Sequence, residues 1–276
     1  MPTVLITGAT SGLGRYVAFE LVRSGYVVLA HGRDRSRTQQ LVAELAAEGG
    51  AAHGFVADLA SLDEVRRLGA EVAAAHPRLD ILVNNAGVGF GSPGSGRELS
   101  RDGHELRLAV NYLAPVALTR ALLPVLRASA PSRIVNVGSA GQEPLDFDDP
   151  ELTRGYSGRA AYWRSKFALA AHTFALAEEL AGTGVSVNVL HPATYMDTAM
   201  VREGGVEPWS SVADGGAGVL ALVTTELGTG GYFDGTSPSR AHKEAYDREV
   251  WKRLAATTER LLDGRHPTDQ EAGTKK

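Results

Sequence analysis

The sequence contains no cysteine, which excludes disulfides, thiolate nucleophiles and cysteine-ligated metal sites. No uninterrupted apolar run reaches about 18 residues, the length that predicts a membrane-spanning helix. No block of basic residues suggests a nucleic-acid partner. The eight histidines lack a metal-binding spacing such as HExxH, so we expect no metal site.

The composition that remains is ordinary for a globular protein: 43% hydrophobic and 22% charged, with a net charge of −4 over 276 residues. The first residues, MPTVLITGATSGLG, are typical of a strand and a glycine-rich loop rather than a signal peptide. Together these features predict a cytoplasmic protein without a membrane partner.

Short runs rich in valine, isoleucine and leucine alternate with alanine-rich helical stretches. The predicted strands are 3–7, 26–30, 53–57, 80–85, 133–139 and 185–191, and the predicted helices are 12–24, 36–48, 61–75, 104–128 and 158–181. This alternation predicts an α/β fold of Rossmann type, a doubly wound parallel sheet with helices on both faces.

After residue 191 the pattern weakens, although a seventh strand at 230–235 and a closing helix at 242–263 are still indicated. We expect one domain over residues 1–263 and a disordered tail at 264–276. The glycine-rich segment 87–96 lies between the fourth strand and its helix, which predicts a loop at the carboxyl edge of the sheet, where such folds bind ligands.

The first strand runs directly into TGATSGLG, residues 7–14, and then into a helix. Glycines at this position permit a tight turn and close approach of the backbone to a phosphate, and the helix N-terminus offers free N–H groups. A simple turn is the alternative interpretation. The position in a βαβ unit favours dinucleotide binding, with the spacing Gly-x-x-x-Gly-x-Gly.

Tyr162 and Lys166 stand four positions apart in YWRSK, inside a predicted helix. Side chains at this spacing share one face of a helix. Taken alone, most such pairs are solvated surface residues, so the interpretation depends on the rest of the chain.

Further motifs follow in order along the sequence. They are Asp58-Leu59, Asn84-Asn85-Ala86-Gly87, Asn111 in the long helix, Ser139 at the end of the fifth strand, the Tyr162/Lys166 pair, and His191-Pro192 after the sixth strand. Together with TGATSGLG this series resembles the short-chain dehydrogenase/reductase family, in its single-domain branch.

The resemblance implies a catalytic set and a cofactor site. The catalytic residues would be Asn111, Ser139, Tyr162 and Lys166. The cofactor contacts would come from Gly8, Ser11, Gly12, Leu13, Gly14, Arg33, Asp58, Leu59, Asn85, Ala86, Gly87, Tyr162, Lys166, Pro192, Thr194 and Thr198.

In that family the tyrosine exchanges a proton with the substrate oxygen. The Lys166 ammonium would lower the pKa of Tyr162, since a nearby cation favours a phenolate, and by resemblance would also hold the nicotinamide ribose. Ser139 would hydrogen-bond the substrate oxygen, and Asn111 would kink its helix and hold a water beside Lys166. A strand-end turn serine and an internally satisfied asparagine are the structural alternatives.

The end of the second strand indicates which nicotinamide cofactor is bound. Gly32 stands where NAD-preferring relatives carry an acid, and Arg33 follows it. An arginine there can hold a 2′-phosphate, so we expect NADP(H). Asp34 is the contrary observation, because a shifted register would bring its carboxylate into range.

The sequence departs from the family pattern in the segment before the tyrosine. Ser139 and Tyr162 are 23 positions apart, and the extra segment is acidic and contains prolines. This resembles the retinol-dehydrogenase-like members, which are usually anchored by an apolar terminus not found here, so a retinoid substrate is not implied. The insertion, 140–158, either shapes the pocket or is a surface flap.

The segment 195–212 lies where the family has its substrate loop. We expect an apolar inner face, formed by Tyr195, Met196, Met200, Val201 and Trp209, and therefore a lipophilic or aromatic carbonyl or alcohol substrate. Either Thr194 or Thr198 would contact the nicotinamide carboxamide, with Thr198 nearer the usual position.

The sequence favours a carbonyl reductase or alcohol dehydrogenase over three other functions. A non-catalytic NADP(H)-binding sensor or scaffold has no need of the tyrosine. An epimerase or dehydratase of this family carries a larger C-terminal part, and a serine hydrolase would need a glycine where Val137 stands. The resemblance further implies a homo-oligomer that pairs through the helices at 104–128 and 158–181.

Overall fold

The computed structural model describes residues 1–264, so the predicted tail, apart from Gly264, lies outside the described residues. Eight strands form one sheet in the order β3-β2-β1-β4-β5-β6-β7-β8. They are β1 Thr3–Ile6, β2 Val27–Gly32, β3 Ala52–Val56, β4 Ile81–Asn84, β5 Ser132–Val137, β6 Val185–His191, β7 Tyr232–Asp234 and β8 Ser237–Ser239. The predicted doubly wound sheet is confirmed.

Nine α-helices connect or flank these strands in the described part of the chain. They are α1 Gly12–Arg23, α2 Arg35–Ala47, α3 Leu62–Ala75, α4 Leu106–Leu108, α5 Ala114–Ala128, α6 Gly158–Glu179, α7 Ala199–Glu203, α8 Val212–Thr224 and α9 Arg248–Leu262. A π-helical turn, Ala109–Leu113, joins α4 to α5.

The core lies in two layers, one on each face of the sheet. One layer packs α3, α5, α6 and α9 against the strands, and the other packs α1, α2 and α8. All neighbouring strands from β3 to β7 are parallel. Strand β1 lies between β2 and β4, so the order reverses there and opens a crevice at the carboxyl edge.

The C-terminal part differs from the sequence-based expectation in two ways. Strand β8 pairs antiparallel with β7, across a two-residue connection in which Gly235 has φ 56°. The predicted helix at 242–263 is divided into a 3₁₀ turn, Lys243–Tyr246, and α9. The division falls at Asp247, whose carboxylate accepts the Glu249 N–H at 2.9 Å and caps α9.

Helix α8 was not predicted, because its sequence holds glycines that lower helix propensity. The structure gives the reason for two of them. A Cβ on Gly216 would lie 2.3 Å from the ring of Tyr16 in α1, and one on Gly218 would lie 2.7 Å from the carbonyl oxygen of Gly235. These glycines therefore allow α8 to pack closely against α1 and the β7–β8 turn.

Helix α9 crosses the outer side of the α3, α5 and α6 layer. Arg248 pairs with Glu178 of α6 at 2.8 Å, and Arg120 of α5 pairs with Glu259. At the other end, Arg66 of α3 donates to the Leu262 carbonyl oxygen at 2.8 Å. Helix α9 thus covers part of the helix surface that we expected to pair with a second copy.

The segment Leu106–Ala128 is long and apolar enough to cross a membrane by length and composition, although no uninterrupted apolar run had predicted such a helix. In the fold 72% of its apolar window is buried. Packing of this helix in the core therefore accounts for its composition.

We expect Gly218→Ala to lower the free energy of unfolding by about 1–2 kcal/mol, since overpacking outweighs the gain in helix propensity. Urea denaturation would measure the change. Gly96→Ala is the matched control, because a Cβ there would meet nothing within 4 Å. Equal stability of the two variants would contradict the packing explanation for α8.

Candidate active site

The glycine-rich loop turns from β1 into α1. Gly8 and Gly12 adopt φ values of 65° and 50°, which side chains other than glycine rarely adopt. A Cβ on Gly14 would lie 2.4 Å from the Gly8 carbonyl oxygen. The three glycines therefore shape a tight backbone turn with no side chains filling its mouth.

Strand β4 holds this loop in place. The Thr7 hydroxyl oxygen accepts the N–H groups of Asn85 at 2.9 Å and Ala86 at 3.0 Å. The Asn85 side chain donates to the carbonyl oxygens of Thr7 at 2.7 Å and Gly8 at 3.3 Å. Asn85, predicted as a cofactor contact, thus holds the glycine loop itself.

His31 is a further support for this loop that the sequence analysis missed. Its Nδ1 accepts the Gly8 N–H at 3.2 Å, and its Nε2 donates to the Ala57 carbonyl oxygen at 3.0 Å. Burial lowers the pKa of His31 to about 4, so the ring is neutral and can hold both bonds at neutral pH. The only indication of this role in the sequence was a polar residue near the end of β2, which the fold buries.

The N-terminus of α1 is open toward the same crevice. Ser11 makes no side-chain capping bond within residues 1–264, so the first-turn N–H groups of Gly12, Leu13 and Gly14 have no capping side chain. Seven other helices, by contrast, are capped by Asp34, Ser61, Glu105, Ser157, Thr198, Ser211 and Asp247. An uncapped helix end beside a glycine cradle fits a phosphate group.

Arg33 is exposed directly after β2. The Asp34 carboxylate accepts the Arg37 N–H at 2.8 Å and caps α2, so the one nearby acid is committed to the helix. A Cβ on Gly32 would lie 2.5 Å from both Thr10 and Thr38, which leaves no room for an acidic side chain there. The end of β2 therefore presents Arg33 to the crevice rim.

Asp58 and Leu59 follow β3, as expected. The Asp58 carboxylate accepts the Ala60 N–H at 3.0 Å and lies 3.4 Å from Arg101, while Leu59 is buried in the core. The preceding Ala57 carbonyl is the acceptor of His31. This segment is thus tied to the glycine loop through the His31 ring.

Tyr162, Lys166 and Ser139 meet at the carboxyl end of β5. The Lys166 Nζ lies 5.7 Å from the centre of the Tyr162 ring and donates to the Val137 carbonyl oxygen at 2.8 Å. Ser139 hydrogen-bonds the Tyr162 side chain, and its hydroxyl accepts the Gly141 N–H at 3.1 Å. The helix α6 and the strand β5 therefore bring these three predicted residues together.

The pKa shifts at this cluster differ from the expectation. Burial raises the pKa of Tyr162, and the hydrogen bond with Ser139 only partly opposes that rise. Burial also lowers the pKa of Lys166 to about 8. The expected lowering of the Tyr162 pKa by Lys166 is not observed, because burial of the phenol dominates, and the phenol is protonated at neutral pH.

Asn111 lies in the π-helical turn and is 1% exposed. Its side chain accepts the Val88 N–H at 2.8 Å and donates to the Val88 carbonyl oxygen at 3.0 Å and to Ser165 at 3.1 Å. A Cβ on Gly87 would lie 3.1 Å from Asn111 and 3.7 Å from the Lys166 Nζ. Asn111 thus connects the loop after β4 to α6, close to Lys166.

A ladder of buried amide and hydroxyl groups crosses beneath the catalytic cluster. Asn84 of β4 donates to the side-chain oxygen of Asn136 in β5 at 2.8 Å, and Asn136 donates to Thr173 of α6 at 2.8 Å. Thr173 donates to the Leu169 carbonyl oxygen at 2.7 Å. The ladder joins two strands and the helix that carry predicted site residues.

The two candidate threonines occupy different surroundings. Thr198 caps α7, and its methyl group would be 3.2 Å from a Cβ on Gly12. Thr194 lies 3.0 Å from the His191 ring. Thr198 is therefore the one beside the glycine loop, while Pro192, which follows β6, is buried.

The segment 195–212, the predicted substrate loop, only partly forms the expected apolar inner face. The Met200 side chain lies against the loop after β4, where a Cβ on Gly89 would be 2.7 Å from it. Trp209 is 73% exposed and meets the Tyr195 ring in an edge-on contact, so its predicted place on an apolar inner face is wrong. Tyr195, with φ 45°, is half-buried beside it.

The insertion before Tyr162 is docked on the fold rather than being a free flap. Leu145 and Leu152 are buried. The Glu151 carboxylate accepts the Glu105 N–H at 3.1 Å and pairs with Arg97 at 3.3 Å. The insertion is thus fixed to the segment between β4 and α4.

Comparisons with known proteins show what this chain is similar to. The family model described as short chain dehydrogenase matches residues 2–207. Retinol dehydrogenase 13 of Homo sapiens is 36% identical over 292 residues, covering 98% of this chain and 87% of that protein. Retinol dehydrogenase 14 of Mus musculus is 45% identical over 204 residues, covering 69% of this chain and 60% of that protein.

Two solved structures extend the comparison. An uncharacterized protein from Mycobacterium paratuberculosis has a TM-score of 0.80 at 29% identity, covering 95% of this chain and 94% of that chain. A candidate NAD(P)-dependent gluconate 5-dehydrogenase from Beutenbergia cavernae, solved with bound NADP, has a TM-score of 0.70 at 32% identity, covering 84% and 94%.

The buried Lys166 ammonium makes stability depend on pH. Because the pKa of Lys166 falls from 10.5 to about 8 on folding, only the unfolded chain holds this proton between those values. Relative to Lys166→Met, the free energy of unfolding of the wild type should rise with pH across that window, by up to about 3 kcal/mol.

Urea denaturation at several pH values would measure this difference. Lys243→Met is the control, because Lys243 is exposed and should follow the wild type at every pH. Parallel curves for the wild type and Lys166→Met would show that Lys166 keeps an ordinary pKa.

Proposed function

The chain belongs to the short-chain dehydrogenase family, and from that premise we propose that it is an NADP-dependent oxidoreductase that interconverts a carbonyl compound and its alcohol. The observation that carries the proposal is the meeting of Ser139, Tyr162 and Lys166 at the carboxyl end of β5. The open glycine loop on β1 lies at the same edge of the sheet.

A bound nicotinamide would supply the hydride at its C4 in the reduction, or accept it in the oxidation. The Tyr162 hydroxyl would donate its proton to the carbonyl oxygen as the carbonyl carbon gains the hydride. Ser139 would hydrogen-bond the same oxygen and stabilise the charge that develops on it. Lys166, buried beside Tyr162, would favour the phenolate that remains.

The protonation state of Tyr162 favours reduction near neutral pH. A phenol whose pKa is raised by burial can donate a proton there, whereas alcohol oxidation needs the phenolate as a base. We therefore infer a carbonyl reductase activity at neutral pH, with oxidation gaining as pH rises.

The rim of the cofactor crevice supports NADP(H). Arg33 is exposed after β2, and the Asp34 carboxylate is engaged with the Arg37 N–H at 2.8 Å. A guanidinium with no acid competing at this position suits a 2′-phosphate. The solved relative with bound NADP is in keeping with that assignment.

The substrate is proposed to be a lipophilic or aromatic carbonyl compound or alcohol. Met200 and the rings around Tyr162 give the crevice apolar walls. The relatives named retinol dehydrogenases place a long apolar alcohol among the compounds to test.

A non-catalytic NADP(H)-binding sensor or scaffold is the second candidate. Binding alone does not require a tyrosine beside a buried lysine, so the assembled cluster argues against it. Location in the cytoplasm stays a prediction. The homo-oligomer also stays a prediction, and a partner that paired through α5 and α6 would have to accommodate α9 as well.

Tyr162→Phe should lower kcat for NADPH-dependent reduction by about 10²–10⁴-fold, since it removes the proton donor and keeps the ring. NADPH oxidation with a panel of aldehydes, ketones, quinones and retinal would measure this. The dissociation constant of NADPH should stay unchanged in the variant.

Two results would count against the catalytic proposal. One is wild-type-like turnover by Tyr162→Phe. The other is tight NADPH binding without turnover of any compound, which would favour the sensor or scaffold.

Arg33→Ala should weaken NADPH binding about tenfold and leave NADH binding unchanged, because it removes a charge-assisted contact with the 2′-phosphate. Fluorescence titration of both cofactors would measure the two dissociation constants. Arg35→Ala serves as the control for loss of one positive charge nearby. A wild-type preference for NADH, or equal effects on both cofactors, would contradict the NADP assignment.

A further inference from the structure

Two aromatic side chains lie near Tyr162, Phe90 from the loop after β4 and Trp163 from α6 itself. The Phe90 ring, from the loop after β4, meets the Tyr162 ring edge-on with centres 4.9 Å apart. A Cβ on Gly141, two positions after Ser139, would lie 2.3 Å from the Trp163 indole nitrogen. Phe90 therefore lies against Tyr162 and Trp163 beside the loop after Ser139, and both rings border the opening above the catalytic cluster.

Arg159 lies across this opening. Its guanidinium carbon is 5.9 Å from the centre of the Phe90 ring and 5.7 Å from that of Trp163. Arg159 stands one helical turn before Tyr162, so both side chains project from the same side of α6. A Cβ on Gly158 would lie 2.0 Å from the Phe90 carbonyl oxygen, so this turn of α6 is packed directly on the Phe90 backbone.

Four other arginines of the described residues, by contrast, pair with carboxylates. Arg107 pairs with Glu98 at 2.8 Å, Arg154 with Asp149 at 3.5 Å, Arg164 with Glu143 at 2.8 Å, and Arg202 with Asp197. Arg159 has no carboxylate within 4.0 Å among residues 1–264. Its side chain is exposed, and its guanidinium lies over the faces of two aromatic rings.

We propose that Arg159 binds an anionic group on the substrate, so that the preferred substrate is an aromatic or lipophilic carbonyl compound that also carries a carboxylate. This inference rests on the proposed function for the reacting end of the molecule. The apolar part would lie between Phe90 and Trp163, with the carbonyl at Tyr162 and the carboxylate at Arg159.

The chemistry of the guanidinium suits this role. A guanidinium that lies over aromatic faces keeps the N–H donors at its edge available for a carboxylate, which it binds in a bidentate way. The rings also hold the side chain in place, so less conformational entropy is lost on binding. A lysine keeps the charge but lacks the planar pair of donors.

The test uses two probes of nearly equal size that differ in charge, 4-formylbenzoate and 4-formylbenzamide. Their kcat/KM values would be measured with NADPH, and their dissociation constants by calorimetry on the chain loaded with NADP⁺. The wild type should prefer the carboxylate. Arg159→Ala should weaken its binding and lower its kcat/KM about 10- to 100-fold and leave the amide unchanged.

Two further variants separate this role from general effects of charge. Arg154→Ala removes a positive charge five positions earlier in the chain, where Asp149 neutralises it, and should leave both probes unchanged. Arg159→Lys should retain only part of the carboxylate preference.

Equal binding of both probes by the wild type, or equal losses for both in Arg159→Ala, would overturn the inference. The same holds if Arg154→Ala matches Arg159→Ala. If neither probe supports NADPH oxidation, the proposed function fails for this class of compound. The dissociation constants on the NADP⁺-loaded chain still decide the role of Arg159 in that case.

Discussion

The buried ladder from Asn84 through Asn136 to Thr173 is the constraint on which the site depends. Breaking one of its bonds would leave a further buried polar group unpaired, which is destabilising. The ladder fixes β4, β5 and α6 relative to one another. Strand β4 leads into the loop that holds the glycine turn, β5 leads to Ser139, and α6 carries Tyr162 and Lys166. One set of bonds therefore sets the spacing between the glycine turn and the catalytic cluster.

The electrostatics of the site follow from burial rather than from opposite charges. Lys166 is bound to a backbone carbonyl, with no carboxylate beside it in the part of the chain the structure describes, and Tyr162 is a protonated phenol. His31 is likewise neutral under the glycine loop. The catalytic cluster thus holds few fixed charges. In the proposed function, Arg33 would bind the anionic group of the cofactor, and in the further inference Arg159 would bind that of the substrate.

The sequence predicted the parts of the structure that rest on periodic or ordered patterns, and missed those that rest on packing. Alternation predicted the strands to β6 and the main helices, and ordered motifs predicted the Tyr162 cluster. Helix α8 was missed because Gly216 and Gly218 are required by close packing against residues that are distant in sequence. The outward position of Trp209 and the raised pKa of Tyr162 depend on three-dimensional surroundings that no local pattern records.

Helix α9 has a consequence for the order in which the molecule is completed. Domains assemble as their chains emerge during synthesis, yet the buried Tyr112 hydroxyl meets its partner, Thr258, at 2.5 Å only once α9 exists. Before α9 has been synthesised, the outer sides of α5 and α6 are not covered by it. A ribosome-bound chain without α9 would present that uncovered surface to chaperones, although every residue of the catalytic cluster had already been synthesised.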